Sequence, residues 1–341
     1  MSNFSIHTII QIILALFPVY LFLTVLIFLD SFKIVKFRSV VMTIIIGTFV
    51  ALISLFTNSA FLNAFQFDLS VYSRYLAPAV EELLKSFFII YLIKSKKIGF
   101  MVDAAIYGFA VGSGFAFVEN IYYLQHIEST NILLWIIRGF GTAVMHGGTT
   151  ASFAILSKSL IDRHSSEAFY LFLPGLSIAF VIHSFFNHFL ISPIIMTVLQ
   201  LIILPLIIFL VFQRSERALR DWLELGLDSD VTMLDDITTG NISRTKVGQY
   251  LQSLKERFPG ETLADMICFL RIHLELAIRA KGFLLMQEAG FKVKKAPEIK
   301  EKFEELTYLE KSLGKTGMLA ISPILHNSTQ DLWQLYLLDK K

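Results

Sequence analysis

Residues 193–217 read PIIMTVLQLIILPLIIFLVF followed by QRSER, and this abrupt change decides the fold class. The first part is apolar over the roughly 20 helical residues that cross a hydrocarbon core. The second part begins a segment of mixed charge that continues to residue 341 without another such run. Hydrophobic residues make up 55% of the chain, more than a soluble protein of this length needs for its core. We therefore predict an all-α fold: a polytopic transmembrane helix bundle at 1–212 and a small, mostly helical, soluble cytoplasmic domain at 213–341.

Seven apolar runs before Gln213 are long enough to span a membrane. The predicted spans are 6–29, 40–62, 75–93, 100–124, 131–156, 169–190 and 193–212. Lys and Arg are concentrated in alternate connections, at 33–38, 94–97, 158–163 and 214–220, whereas the opposite connections contain only Arg74. Under the positive-inside rule, this alternation predicts an N-terminus outside the membrane and a cytoplasmic tail.

The remaining composition excludes several functions. A formal net charge of +2, with basic residues at helix ends, argues against a nucleic-acid partner. Cys268 is the only cysteine, so the chain has neither an intrachain disulfide nor a cysteine-based metal cluster. The tail has helical periodicity at 262–288 and 297–313 but no catalytic pattern. Its partner is unknown from the sequence.

Several ionisable or polar side chains lie within the predicted spans. They are Glu81, Glu82 and Lys85 in the third span, Glu119 in the fourth, His146 in the fifth, and His183 with Asn187 in the sixth. A charged side chain at the bilayer centre costs about 2.5–3.5 kcal/mol on insertion scales, and such residues usually face a bundle interior or an aqueous cavity. They are therefore the candidate functional site.

Helix geometry predicts which of these residues share a level. At a rise of about 1.5 Å per residue, Glu81, Glu82, Glu119 and His183 lie about 8–10 Å from the outer ends of their spans. His146 is predicted to lie deeper, about 22 Å from the start of its span. The same spacing allows a simpler role for Glu81, which can pair with Lys85 one turn away.

Carboxylates and imidazoles in this setting are suited to hydrolysis by water. Paired carboxylates can act as general acid or base, and histidines with a further carboxylate can hold a divalent ion such as zinc. An asparagine amide such as that of Asn187 can orient the water or stabilise an oxyanion. The spans contain no Cys and no Gly-x-Ser-x-Gly motif, so water is the predicted nucleophile.

The ordered motifs Glu81-Glu82-x-x-Lys85, Phe115-x-x-x-Glu119, His146 and His183-x-x-x-Asn187 lie on successive predicted helices. This set resembles the PrsW family of intramembrane proteases, which is distantly related to the CAAX prenyl endopeptidases. The resemblance covers roughly residues 70–190.

The resemblance implies roles for these residues. Glu81 or Glu82 activates water, Glu119, His146 and His183 are metal ligands or hold the water, and Asn187 supports them. The family is classed with metallopeptidases, so the implied cofactor is a divalent metal, zinc by expectation, whereas the CAAX relatives can work by glutamate without a metal. The implied substrate is a single-span membrane protein such as an anti-sigma factor. The implied location is a bacterial cell membrane, where lipids surround the protein.

Two other functions fit the same residues. A transporter or channel can use Glu81, Glu82, Glu119 and His183 as a proton or cation relay, although the spans show neither an inverted repeat nor a broken helix. A catalytically silent scaffold that acts through its tail is the third hypothesis.

Overall fold

The structure is a computed structural model that describes residues 35–126, 132–164, 166, 168–188, 190–291 and 298–325, with scattered positions between 10 and 28 and residue 338. It is 89% helix, and its described residues contain no strand, which confirms the predicted all-α class. The chain divides into two compact units, Met1–Glu216 and Arg217–Lys341, and each is described by itself.

The first unit is a bundle of helices. They are α1 (Phe37–Phe65), α2 (Ala77–Lys94), α3 (Met101–His126), α4 (Ile132–Ile137), α5 (Ala143–His164), α6 (Leu173–Asn187) and the beginning of α7 (Pro193–Thr238). A helical turn at Leu69–Val71 and a 3-10 segment at Phe169–Phe172 complete the connections.

Among the residues that the structure describes, four helices are long and apolar enough to cross a membrane. They are Phe37–Phe65, Met101–Gln125, Phe169–Asn187 and Ile194–Thr238, which overlap the predicted spans 40–62, 100–124, 169–190 and 193–212. The predicted span 6–29 lies largely outside the described residues. The predicted span 75–93 and the described part of the span 131–156, which begins at residue 132, are helical. Their charged and small polar residues lower their hydropathy, and their crossing of the membrane stays a prediction.

Helix α3 lies at the centre of this unit because its glycines allow neighbouring backbones to approach. A Cβ atom on Gly112 would lie 2.1 Å from the carbonyl oxygen of His146 in α5, and one on Gly114 would lie 2.1 Å from the carbonyl oxygen of Ile44 in α1. Both distances are too short for any side chain. These glycines are therefore sites of close helix packing, and Gly112 brings the backbone of His146 against α3.

Two π-helical segments stand directly before the helices that carry predicted site residues. Tyr72–Leu76 leads into α2, and Arg138–Thr142 leads into α5. Such wide turns occur often at functional sites. In the first segment, the carbonyl of Arg74 accepts a hydrogen bond from Ser184 Oγ at 2.6 Å. This contact fixes α6 against the beginning of α2.

The second unit contains the helices α8 (Lys246–Ser253), α9 (Gly260–Glu288) and α10 (Glu298–Ile321) and has its own hydrophobic core. The helical periodicity predicted for 262–288 agrees with α9. The predicted end of the last periodic segment at 313 agrees with a break in α10 at Gly314, whose φ of 60° and ψ of −176° are not helical and are suited to glycine. A second helical part follows this kink and ends at Ile321.

Candidate active site

The structure brings five of the six predicted site residues together. Helix α2 contributes Glu81 and Glu82, α3 contributes Glu119, α5 contributes His146, and α6 contributes His183. Glu82, His146 and His183 are each no more than 2% exposed, whereas the side chains of Glu81 and Glu119 are 16% and 26% exposed. The cluster therefore has a buried inner part and two more exposed carboxylates.

Glu82 is the centre of the buried inner part. Its Oε1 accepts hydrogen bonds from Lys85 Nζ at 2.6 Å, from His183 Nδ1 at 2.7 Å and from Thr149 Oγ1 at 3.2 Å. The buried Lys85 therefore pairs with Glu82. The simpler interpretation had predicted that Lys85 pairs with Glu81. Because three donors converge on one oxygen, Glu82 is suited to holding its neighbours in place.

The contacts of His183 define its proton positions. When Nδ1 donates to Glu82, the neutral ring keeps an unprotonated Nε2. That nitrogen lies 3.8 Å from Glu81 Oε2. A carboxylate behind an imidazole in this manner fixes the ring and raises the basicity of its free nitrogen, as is usual for metal-binding histidines.

His146 has a partner at each ring nitrogen. Lys85 Nζ lies 3.1 Å from Nδ1, and Glu119 Oε2 is hydrogen-bonded to Nε2. The ring also packs against Phe115, with centroids 4.7 Å apart, and edge-on against His183 at 4.9 Å. These four contacts fix the position of the His146 ring.

The expectation that His146 lies deeper than the other site residues is wrong, because its ring contacts Glu119 of α3 and His183 of α6. The helical run that contains it extends from 132 to 164, about 50 Å at 1.5 Å per residue. A helix of that length exceeds a hydrocarbon core of about 30 Å. Counting from its first residue therefore does not measure depth.

Three of these side chains form a group that can hold a metal ion. The donor atoms of Glu81, His146 and His183 all lie within 4.8 Å of one another. Two imidazoles and one carboxylate are a donor set typical of catalytic zinc, so the residues fit the ion. Because Lys85 donates to Nδ1 of His146, the proton of the neutral ring is on Nε2 and is donated to Glu119. Ligation through Nε2 therefore requires this nitrogen to lose both its proton and its contact with Glu119. Glu119, predicted as a ligand, lies outside this group, and Glu81 is in it.

Asn187 is placed differently from the other predicted residues. Its Nδ2 donates to the carbonyl of Ser73 at 2.9 Å, in the π-helical segment before α2. This contact adds to that of Ser184 in joining α6 to α2, so Asn187 aligns His183 with the glutamates. A direct role for its amide in catalysis stays a prediction.

Three residues of the site were missed in the sequence. Thr149 reaches Glu82, Asn58 Nδ2 donates to Glu81 Oε1 at 3.1 Å, and Tyr72 OH donates to Asn58 Oδ1 at 2.8 Å. Asn58 is a polar residue within an apolar predicted span, which was a usable signal. Nothing in the sequence distinguishes Thr149 from Thr150. Both hydroxyls can donate to the carbonyl of His146 in their own helix, and that of Thr149 also reaches Glu82.

Replacing Lys85 with methionine is expected to destabilise the first unit by about 3–5 kcal/mol, because it leaves a buried carboxylate without its cation. Denaturant unfolding in detergent measures the change. The double variant Lys85→Met with Glu82→Gln should recover most of the loss, since it removes both charges. Lys97→Met, which removes a partly exposed lysine near Tyr91, should change stability by about 0.5 kcal/mol or less. Equal losses in Lys85→Met and Lys97→Met would contradict the prediction.

Comparison with known proteins identifies the family. Residues 36–212, just over half of the 341, match the PrsW family, described as intramembrane metalloproteases. No curated protein and no solved structure shows significant similarity to the chain. The matched range contains every residue of the cluster described above. The chain therefore belongs to the PrsW family of intramembrane metalloproteases and is a hydrolase of peptide bonds.

Proposed function

We propose that Glu81, His146 and His183 hold a catalytic divalent ion, zinc by the chemistry of the donors, and that this site cuts a single-span membrane protein. The group of donors within 4.8 Å carries this proposal. When bound by these three residues, zinc would supply a water molecule with a pKa lowered towards 7 and a Lewis acid for the scissile carbonyl. Residues of the chain then have to orient that water, accept its proton and keep the ligands in place.

Glu119 is our candidate for the general base. Its carboxylate touches His146, is more exposed than that of Glu81, and does not belong to the three-residue group. We propose that it accepts the proton of the attacking water and passes it to the leaving amine. The family resemblance implied the reverse, with Glu81 or Glu82 activating water and Glu119 as a metal ligand. In our proposal Glu81 is the ligand and Glu119 is the base.

Glu82 and Lys85 form the support of the site. Glu82 keeps the proton of His183 on Nδ1, so that Nε2 faces Glu81. Lys85 balances the charge of Glu82 and contacts the ring of His146. Because both side chains are at most 2% exposed, we propose that they act by positioning and do not touch the substrate.

We propose the predicted topology for the whole chain. Residues 1–212 form a protease domain of seven spans in a bacterial cell membrane, with the N-terminus outside, and residues 213–341 form a cytoplasmic domain. The alternation of basic connections supports this orientation. It places the catalytic cluster in the outer half of the membrane, which suits an anti-sigma factor cut on its extracytoplasmic side.

Removal of the metal tests the proposal. Wild-type protein purified in detergent should cleave a single-span reporter substrate. Treatment with a chelator should lower the cleavage rate at least about tenfold, and one equivalent of Zn²⁺ should restore it. Cleavage and bound metal are measured on the same samples. A sample that stays fully active without metal would contradict the metal site and favour activation of water by glutamate alone. Wild-type protein that cuts no reporter would contradict the proposed substrate class.

A further inference from the structure

A hydrogen-bond chain from outside the motifs reaches Glu81. Tyr72 OH donates to Asn58 Oδ1 at 2.8 Å, and Asn58 Nδ2 donates to Glu81 Oε1 at 3.1 Å. We infer that Asn58 and Tyr72 are positioning residues that hold the Glu81 carboxylate ready for the ion. The inference rests on the proposed function of Glu81 as a ligand.

The orientation of the Asn58 amide follows from its two partners. An asparagine side chain has one accepting and one donating end. Glu81 as a carboxylate only accepts, so it requires the NH₂ group, and the carbonyl then turns towards a donor. The Tyr72 hydroxyl is that donor. Without it, the amide is free to rotate and to place its own oxygen against the carboxylate of Glu81.

The positions of Asn58 and Tyr72 explain why their hydrogen bonds act on one oxygen of Glu81. Asn58 lies in α1, and its Nδ2 also donates to Ser54 Oγ of the same helix at 3.3 Å. Tyr72 is 2% exposed and begins the π-helical segment that leads into α2. With Oε1 of Glu81 held by Asn58, the other oxygen, Oε2, is the one that faces His183.

A purely structural explanation makes a different prediction. If Asn58 only joined α1 to α2, its loss would lower stability and leave the properties of the folded site unchanged. If it positions Glu81, its loss changes the affinity for the ion in protein that remains folded. Partners that orient a metal ligand usually contribute about 10–100-fold to metal affinity or activity.

The experiment measures Zn²⁺ affinity by competition with a chromophoric chelator, and kcat and KM for the reporter, in full-length protein. Asn58→Leu should weaken Zn²⁺ binding by about 10–100-fold and lower kcat with little change in KM, because it acts on the reacting centre. Tyr72→Phe, which removes one oxygen, should weaken binding measurably but by a smaller factor, up to about tenfold. The double variant should be no weaker than Asn58→Leu, since Tyr72 acts through Asn58. Thr57→Val is the control, because its hydroxyl donates to the carbonyl of Ile53 in its own helix.

Wild-type Zn²⁺ affinity in folded Asn58→Leu, or full additivity in the double variant, would overturn the inference. If Asn58→Leu does not fold, Tyr72→Phe decides by itself, and an unchanged Zn²⁺ affinity then overturns it. Glu81→Gln separates this result from failure of the proposed function. If Glu81→Gln keeps its Zn²⁺, the proposed metal site is wrong; if it loses Zn²⁺ while Asn58→Leu keeps it, only the positioning inference is wrong.

Discussion

Glutamine in place of Glu81 is expected to remove bound zinc and cleavage together. Glutamine has the size of glutamate and a neutral amide oxygen, so it preserves packing but is a poor ligand for zinc. The loss should exceed about 100-fold, the upper end of what a ligand's hydrogen-bond partner contributes. Metal content and reporter cleavage, measured on one preparation with an unfolding curve, test the expectation.

Glu119→Gln is the matched comparison for Glu81→Gln. Both are partly exposed carboxylates of the same cluster, but only Glu81 belongs to the group of close donors. If Glu119 is the general base, its variant should keep zinc and lose about 10²–10⁴-fold in kcat. Loss of zinc in Glu119→Gln with retention in Glu81→Gln would restore the roles that the family resemblance implied.

The substitution His183→Ala is expected to abolish cleavage as completely as Glu81→Gln. It removes the imidazole whose Nε2 faces Glu81 and deprives Glu82 of one of its three donors. We expect a loss above about 100-fold in kcat/KM together with loss of bound zinc. Added imidazole should restore part of the zinc binding if the cavity stays open.

His188→Ala is the control at the end of the same helix. The His188 ring is described with two contacts, and both are outside the cluster: its Nδ1 lies 2.7 Å from the carbonyl oxygen of Ser184, and the ring stands edge-on to Tyr75. Its removal should leave zinc and cleavage close to wild type. An inactive His188→Ala beside an active His183→Ala would reverse our assignment of the two histidines.

The candidate residues could be selected from the sequence because charged residues are rare in apolar helices. Glu81, Glu82, Glu119, His146 and His183 each stand out against the apolar residues of their spans for that reason. Their order along the chain supplied the family resemblance. The all-helical class followed in the same manner from the excess of apolar residues over what a soluble core needs.

The partners within the site were not predictable from spacing. Helical periodicity permits Lys85 to reach either Glu81 or Glu82, and only the rotation of α2 against its neighbours selects Glu82. Likewise, the span that contains His146 has no marker for depth, and Asn187 shares the face of His183 but bonds to Ser73.

The sequence by itself therefore determined the all-helical class and the family, and it supplied the candidate residues for the chemistry. The tertiary structure decided which carboxylate joins the two histidines and which one pairs with the lysine, and it added Asn58, Tyr72 and Thr149. The physical reason is that insertion costs and helical periodicity are local properties of the chain. The rotation and depth of each helix depend on close contacts between distant segments, such as that of Gly112 with the backbone of His146.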